Sequence, residues 1–599
     1  MAMGAQPAEC RSEVVAALEL LASLQRGGLS HVVLCPGSRS APLAAAAGLL
    51  EAAGLRLHTA LDERSAAFFA LGLGRALGWP AAVITTSGSA VAHLLPAAVE
   101  ADTGTIPLLL LTADRPDRLK GCGANQSVNQ EEFLRASCRW LGQGDGRGLA
   151  RMDSGDLVRL AALALTHCLG NGGLAPPGAV HLNLPFEEPL HATGPELLAL
   201  AAGVRNRDLG AAPTPSGGAP HSPLPLLEAA RLDPDLPGVV VAGPWRGLPQ
   251  SWPAHRQALR AWQRRTGWPV LADALSGLRG QPGLDLVAGY DLILEQPSPR
   301  LEVPQVLRLG SLPASRRLQA WLEGCTGPQV LVSEGDPRRL DPLGRVRAQW
   351  SGGLAAWWQQ QALPPGQPAP PSLATAGRWQ AAETCVQALL DAPAAAPAAA
   401  LFEEPLLARR LARLLPPGLP LMLANSSPVR DWESFVPADA PARPVFAFRG
   451  ASGIDGTLSI AAGLAEALGQ LVLVTGDLAL LHDANGWLWL PRLSGRLTVL
   501  VIANGGGGIF EQLPIRTDPP AALDFERLFA MPQPVSPLAL AAVHGVAGRR
   551  VAGPADLEAD LAWALERPCA VLELPSDRTA DAGLRRRLRT MAARERAQP

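Results

Sequence analysis

The sequence predicts an α/β protein of three domains, each a doubly wound, mainly parallel sheet covered by helices. Three observations predict it. Short strand-like runs alternate with Ala/Leu-rich helical stretches, the runs are apolar throughout, and two Pro/Gly/Ala-rich stretches cut the 599 residues into three similar segments. Continuous apolar strands separated by helices mark parallel sheets buried on both faces. The connectors "DLGAAPTPSGGAPHSPLP" (208–225) and "LPPGQPAPPSLATAG" (363–377) leave domains at 1–207, 226–362 and 378–599. A third such piece, "DAPAAAPAAA" (391–400), reads as a loop inside the last domain.

Taken in order, the first segment offers the strands "HVVLC", "AAVITT" and "IPLLLLT". The central one offers "GVVVAG", "PVLAD", "QVLRLG" and "QVLVSEG", and the last "LMLAN", "VFAF", "LVLVTGD", "LTVLVIAN" and "AVLELPS". The opening stretch "MAMGAQPAECRSEVVAALELLASLQ" lacks the basic region of a signal peptide and reads as an amphipathic helix. No apolar run reaches transmembrane length, so no membrane span is expected. An apolar content of 48% with net charge −2 describes an ordinary globular chain and argues against nucleic acid as a partner. The eight cysteines form no C-x-x-C pair and the ten histidines show no zinc spacing, which points to reduced thiols in a cytoplasmic protein.

In sheets of this kind ligands bind beyond the carboxyl ends of the strands. Those ends are unusually polar here. Ser38 and Arg39 follow "HVVLC", and Arg115, Asn125 and Gln126 follow "IPLLLLT". Ser426 and Arg430 follow "LMLAN", Arg449 follows "VFAF", and Asp477 follows "LVLVTG". Each alone is an ordinary turn arginine or helix cap; together they outline a site.

The stretch "LTVLVIANGGGGIFEQLPI" opens a buried strand into four glycines, a setting in which backbone approaches phosphate closely. A nucleotide-binding P-loop needs a lysine after its glycines, and Lys120, the only lysine, lies far away in the chain. The dinucleotide pattern is only weakly matched, with no acidic residue at the required distance. Asp477 and Asn504 end successive strands, so adjacent parallel strands bring both oxygens to one sheet edge. With a backbone carbonyl from the glycine run they form a hard oxygen set suited to Mg²⁺ or Mn²⁺. The ligand of such a site is a diphosphate bridged to protein through the metal.

Gly-Asp followed at this spacing by Asn resembles the thiamine-diphosphate-binding motif of the decarboxylase/synthase superfamily. "PGSRSAPL", "DERSAAFFALGLG", "TSGSAVAHLLPAAVEA", "TADRPDRLKGCGANQSVNQ", "NSSPVRD", "RGASGIDGTLSIAAG", "GDLALLHDANG" and "GGGIFEQLPI" together resemble the 2-succinyl-5-enolpyruvyl-6-hydroxy-3-cyclohexene-1-carboxylate synthase (MenD) family of menaquinone and phylloquinone biosynthesis. The matches span the first and last domains nearly end to end and the central one, through "RLGSLPASRRLQAW", more thinly.

The resemblance implies a transferase that joins 2-oxoglutarate, with loss of CO₂, to isochorismate. It implies that Glu63, at the start of a helix, hydrogen-bonds the pyrimidine N1′ of the cofactor. The metal set becomes Asp477, Asn504 and the Gly506 carbonyl, since Gly505 stands where relatives often carry a second asparagine. Ser452, Gly453 and Ile454 are implied around the cofactor's bend, Gly476 and Leu478 beside the diphosphate, and Ile509, Phe510 and Leu513 along the ring side. The two substrates bring four carboxylates, and arginine's fork suits carboxylate. Arg39, Arg115, Arg317, Arg430 and Arg449 are implied as their partners, with hydrogen bonds from Ser38, Asn125, Gln126 and Ser426. A homodimer or homotetramer with sites at subunit interfaces is also implied. Three further departures stand out: Arg316 where lysine is common, Phe448 for an asparagine, and Gln533 where relatives often carry histidine.

Two other readings are open to test. An acetolactate-synthase-type enzyme would hold a flavin and absorb near 450 nm. A non-catalytic nucleotide-binding regulator would bind ATP without thiamine diphosphate.

Overall fold

All seven positions of Leu108–Asp114 are buried, and this two-sided burial is what forces helices onto both faces of a sheet. The computed structural model describes residues 11–205, 230–296, 298–392, 401–517 and 523–595. Cα packing divides the chain into two units, Met1–His221 and Ser222–Pro599.

The first unit holds one six-stranded parallel sheet. Its strands are β1 (His31–Leu34), β2 (Arg56–Thr59), β3 (Ala81–Thr85), β4 (Leu108–Asp114), β5 (Trp140–Gln143) and β6 (Ala179–Pro185), in the order β2-β1-β3-β4-β6-β5. The expected opening helix is Glu13–Arg26; Ser12 caps it by accepting from the Val15 N–H, and Leu20, Leu21 and Leu24 bury its apolar face. The connector expected at 208–225 lies outside the described residues.

The second unit holds two more parallel sheets. The central one comprises β7 (Val239–Ala242), β8 (Val270–Ala272), β9 (Leu286–Val287), β10 (Val306–Leu309), β11 (Gln329–Val332) and β12 (Val346–Trp350), ordered β12-β11-β10-β7-β8-β9. Trp262 is fully buried beside it, meeting Trp268 and Trp357 edge to face at 5.3 and 4.9 Å between centroids. The last sheet comprises β13 (Leu421–Leu423), β14 (Val445–Phe446), β15 (Gln470–Gly476), β16 (Arg496–Ala503), β17 (Ala547–Arg550) and β18 (Cys569–Pro575), ordered β14-β13-β15-β16-β18-β17. β15 and β16 are adjacent and pair in register from Gln470↔Arg496 to Gly476↔Ile502. That adjacency carries Asp477 and Asn504 to one edge.

The second connector is shorter than 363–377. The helix Pro370–Asp391 starts inside it, with two prolines at its first positions, where a missing N–H breaks no helical bond. Of the alanine-proline piece at 391–400, residues 393–400 lie outside the described residues. No helix among the described residues is long and apolar enough to cross a membrane. The seven described cysteines are free thiols, with Cys35, Cys168 and Cys325 buried and Cys122 and Cys385 exposed.

Candidate active site

In the first unit the expected residues follow β1 (Ser38 and Arg39), β2 (Glu63) and β4 (Arg115, Asn125 and Gln126), and Arg115 and Gln126 reach Ser87 beyond β3. Glu63 begins the helix Glu63–Leu77, whose cap Asp62 accepts from the Arg64 N–H at 2.9 Å. Burial drives the thiol of Cys35, the residue after β1, well above its ordinary range. The charges of Glu63 and Asp62 push it the same way, which places Glu63 beside this strand end. Arg39 is buried; its Nη1 donates to the Phe186 carbonyl at 2.9 Å, and its Nε meets no acceptor among the described residues. Arg115 donates to the Ser87 hydroxyl and, at 2.9 Å, to the Gln126 carbonyl. Burial holds the Arg115 guanidinium below its ordinary value, and the neighbouring charge of Arg39 adds to this. Asp114 opposes this shift, and Arg39 also lies 3.5 Å from Glu188. Ser38, Asn125 and Gln126 are exposed around them.

In the second unit the helix Asp477–His482 starts directly where β15 ends. Asp477 Oδ2 accepts from the N–H groups of Gly505 and Gly506, each at 3.0 Å, and Oδ1 accepts from Leu478 N–H at 2.7 Å. Burial raises this carboxyl above its ordinary range, the three backbone bonds oppose the rise, and Glu404 reinforces it. The loop requires glycine. Gly505 has φ +74° and Gly506 φ +125°, and a Cβ on Gly506 would stand 2.3 Å from the Ala530 carbonyl oxygen.

Asn504 tests whether a cation suits this edge. Its Nδ2 donates to Glu404 Oε1 at 2.6 Å, whereas its Oδ1 is buried and meets no donor among the described residues. A buried carbonyl oxygen left without a partner costs about 1–3 kcal/mol, a cost that an oxygen-seeking cation removes. The Gly506 carbonyl accepts from Gly508 N–H at 2.8 Å and retains a second lone pair. Carboxylate, amide oxygen and carbonyl fit Mg²⁺ or Mn²⁺. The set includes only one carboxylate, and no cluster of three His, Cys, Asp or Glu suited to a metal occurs among the described residues. Asp477, Leu478, Gly505, Gln533 and Ser536 line a cavity of about 320 Å³, which puts Gln533 beside the loop.

The loops after β13 and β14 are tied together by Asn425, a residue that sequence reasoning passed over. Its Nδ2 donates to the carbonyls of Phe448 (2.9 Å) and Gly453 (2.6 Å), and its Oδ1 accepts from Arg449 Nη1 at 3.3 Å. Arg430 Nη1 donates to the Ser426 carbonyl at 2.6 Å. Burial lowers the Arg430 guanidinium, and the charges of Arg449 and Arg316 lower it further. These three arginines form a second cationic cluster. Arg317 instead engages Asp291 at 3.0 Å and Glu295. Gln126, Ser426 and Ser452 all hold positive φ, an arrangement that ordinary side chains avoid and that concentrates at functional sites. Ile509 and Phe510 are half-buried, Phe510 meeting Phe529 edge to face, while Ser452 and Gly453 are exposed and Ile454 is half-buried.

Behind the second cluster lies a buried acid pair. Glu433 Oε1 accepts from the Tyr290 hydroxyl at 2.7 Å, and Asp273 hydrogen-bonds the same carboxyl. Burial and the charge of Asp273 push Glu433 up to about 8, and Arg279 opposes them. Arg279 spends its donors on backbone carbonyls, among them Ala272, Trp432 and Glu433, and so serves the fold.

Residues 16–133 match the family described as "Thiamine pyrophosphate enzyme, N-terminal TPP binding domain", and residues 235–423 that described as "Middle domain of thiamine pyrophosphate". These matches define a thiamine-diphosphate-dependent enzyme. A protein of Synechococcus sp. (strain RCC307) is 54% identical over 590 residues, covering 97% of this chain and 98% of its own length. One of Parasynechococcus marenigrum (strain WH8102) is 55% identical over 573 residues, covering 94% and 99%. Both are named 2-succinyl-5-enolpyruvyl-6-hydroxy-3-cyclohexene-1-carboxylate synthase. The chain belongs to that family, which supports this reading over the acetolactate-synthase type.

A carboxyl whose folded value is raised keeps its proton in the fold after the unfolded chain has released it. Its contribution to stability is therefore complete below the ordinary carboxyl value and drains away as pH rises toward about 8, where the loss levels off. Glu433→Gln replaces the carboxyl with a neutral isostere. Its thermal midpoint should rise relative to that of the unaltered protein between pH 5 and pH 8. A constant difference across that range would show that Glu433 carries no proton.

Proposed function

We propose that this enzyme decarboxylates 2-oxoglutarate and adds the resulting succinyl unit, in a 1,4-addition, to isochorismate, giving 2-succinyl-5-enolpyruvyl-6-hydroxy-3-cyclohexene-1-carboxylate and CO₂. The observation that carries it is the pair of arginine clusters, Arg115 beside Arg39 and Arg430 beside Arg449 and Arg316, in which burial first and the neighbouring charges second lower the Arg115 and Arg430 guanidiniums. Such clusters suit polycarboxylate substrates, because a bound carboxylate relieves repulsion while it is being desolvated. The name shared by the relatives supports the product.

Thiamine diphosphate supplies, when bound, the electron sink for loss of CO₂. Asp477, Asn504 and the Gly506 carbonyl would hold Mg²⁺ or Mn²⁺, which would supply the positive charge for the diphosphate, and Gly476 and Leu478 would lie alongside. Glu63 holds the proton at the pyrimidine N1′. Ser452, Gly453 and Ile454 support the bend of the cofactor, and Ile509, Phe510 and Leu513 exclude water from its ring side. Arg39, Arg115, Arg430 and Arg449 take the substrate carboxylates, with Ser38, Asn125, Gln126 and Ser426 completing their hydrogen bonds. Arg317, which also holds Asp291 at 3.0 Å and Glu295, joins them as a partner of the substrate carboxylates. The three domains we assign, 1–207, 226–362 and 378–599, follow the three sheets. The product's place is on the route to menaquinone or phylloquinone. The free thiols support a reducing, cytoplasmic setting.

Glu63→Gln should slow proton exchange at the thiazolium C2, and decarboxylation and addition should fall together by roughly 10²–10⁴-fold. Among Arg39, Arg115, Arg430 and Arg449, at least one alanine variant should keep CO₂ release from 2-oxoglutarate while losing addition to isochorismate. C2–H exchange at the original rate in Glu63→Gln would refute the role given to Glu63. Uniform loss of both half-reactions in every arginine variant would refute the division of substrates.

The active site is proposed to combine Glu63 of one subunit with Asp477 of another in a homo-oligomer. Mixing inactive Glu63→Gln and Asp477→Ala chains should then restore part of the activity through hybrid sites. No recovery after verified subunit exchange would place each site within one chain.

A further inference from the structure

The Asn504 amide faces a choice that its own shape does not make. An amide presents a donor at one end and an acceptor at the other, and only its surroundings decide which points where. Glu404, 2% exposed, opens the helix Glu404–Leu414, and its carboxylate can only accept. Its Oε1 takes Asn504 Nδ2 at 2.6 Å and the Ser576 hydroxyl at 3.2 Å, while Oε2 takes Arg585 Nη2. Arg585 is itself buried and held by Asp431, its Nε at 2.8 Å from Oδ1. The backbone N–H of Glu404 is fixed by Asp581 Oδ1 at 3.0 Å. Arg585 and Asp581 belong to the helix Arg578–Glu595, whose Arg578 also donates to the Gly505 carbonyl at 2.7 Å.

We propose that Glu404, locked by Arg585, is the positioning residue that turns the Asn504 amide so that its oxygen, not its nitrogen, faces the divalent cation. The inference rests on the assignment of Asn504 as a metal ligand. Because Glu404 accepts on both oxygens, Nδ2 is drawn to it and Oδ1 is left on the opposite side, buried and without a donor. Glu404→Gln reverses this logic with almost no change of shape. Arg585 offers only donors, so it claims the single remaining oxygen of the new amide. The new NH₂ group then meets Asn504, which must rotate to offer its oxygen and thereby turns its own NH₂ toward the cation.

The test is calorimetric titration of the full chain with thiamine diphosphate at graded Mg²⁺, with the thermal midpoint as a check on the fold. Glu404→Gln should raise the Mg²⁺ concentration for half-maximal cofactor binding by about 10–100-fold, the usual effect of removing an outer partner of a ligand. Asn504→Asp added to Glu404→Gln should restore it, because a carboxylate accepts from the new NH₂ with one oxygen and keeps the other for the metal. Asn504→Asp alone, which sets two carboxylates face to face, should not tighten binding; if it does, charge and not orientation governs the site, and the inference falls. Glu404→Ala, which removes the acceptor without offering a donor, is the second variant and should raise the Mg²⁺ requirement by less. An unchanged requirement in both Glu404 variants, with a raised one in Asn504→Ala, would overturn the role of Glu404 and leave the metal assignment standing. An unchanged requirement in Asn504→Ala would overturn the metal assignment itself.

Discussion

The Asp477 carboxylate reaches across from β15 and gathers the N–H groups of Gly505 and Gly506 after β16, and the rest of the site depends on that contact. Hydrogen bonds to a charged acceptor contribute about 1.5–3 kcal/mol each, while burying an ion costs several kcal/mol. Three such bonds oppose the burial that raises this carboxyl, and Glu404 adds to the rise. A divalent cation at this edge would stabilise Asp477, satisfy Asn504 Oδ1 and attract a diphosphate. The same contact explains why the loop is glycine: its backbone turns through positive φ under the Ala530 carbonyl, where a side chain has no room.

The arginines divide into two groups by what they touch. Arg279, Arg317 and Arg585 are engaged by backbone carbonyls or carboxylates of their own unit and hold elements together. Arg39, Arg115 and Arg430 also donate to backbone carbonyls, but Arg39 with Arg115, and Arg430 with Arg449 and Arg316, differ in lying beside like charge. Left alone, such groupings cost stability, and a bound anion would relieve them. Lys120, which might have joined them, is bound to Asp114 at 2.7 Å and to Glu131, and so the chain's only lysine belongs to the fold.

The strands that the sequence revealed are those buried on both faces, β1, β3, β4, β7, β8, β10, β11, β13, β15, β16 and β18, together with the short β14. Most of those it concealed lie at sheet edges or beside them. β17 is exposed along its whole length and reads as "AGRR", and β2 keeps only two half-buried positions. β6 is different: it is fully buried, but His181 and Asn183 interrupt its apolar pattern because both bond Thr112 across the sheet. The proposed site residues are legible where they follow a strand directly, as Asp477 and Asn504 do. Asn425 also ends a strand, yet nothing in the sequence distinguished it from a turn residue. Glu404 and Arg585 come from helices far along the chain, and in "FEEPLLARR" a buried glutamate looks like any acid at a helix start. Their role exists only in the packed structure.

The central claim is that a divalent cation at Asp477 and Asn504 carries the cofactor's diphosphate. Calorimetric titration of the metal-stripped enzyme with thiamine diphosphate, with and without Mg²⁺, tests it most directly. The account predicts tight binding only when the cation is present. Equal affinity in EDTA would mean that the diphosphate is held by the backbone and side chains alone, and would contradict it.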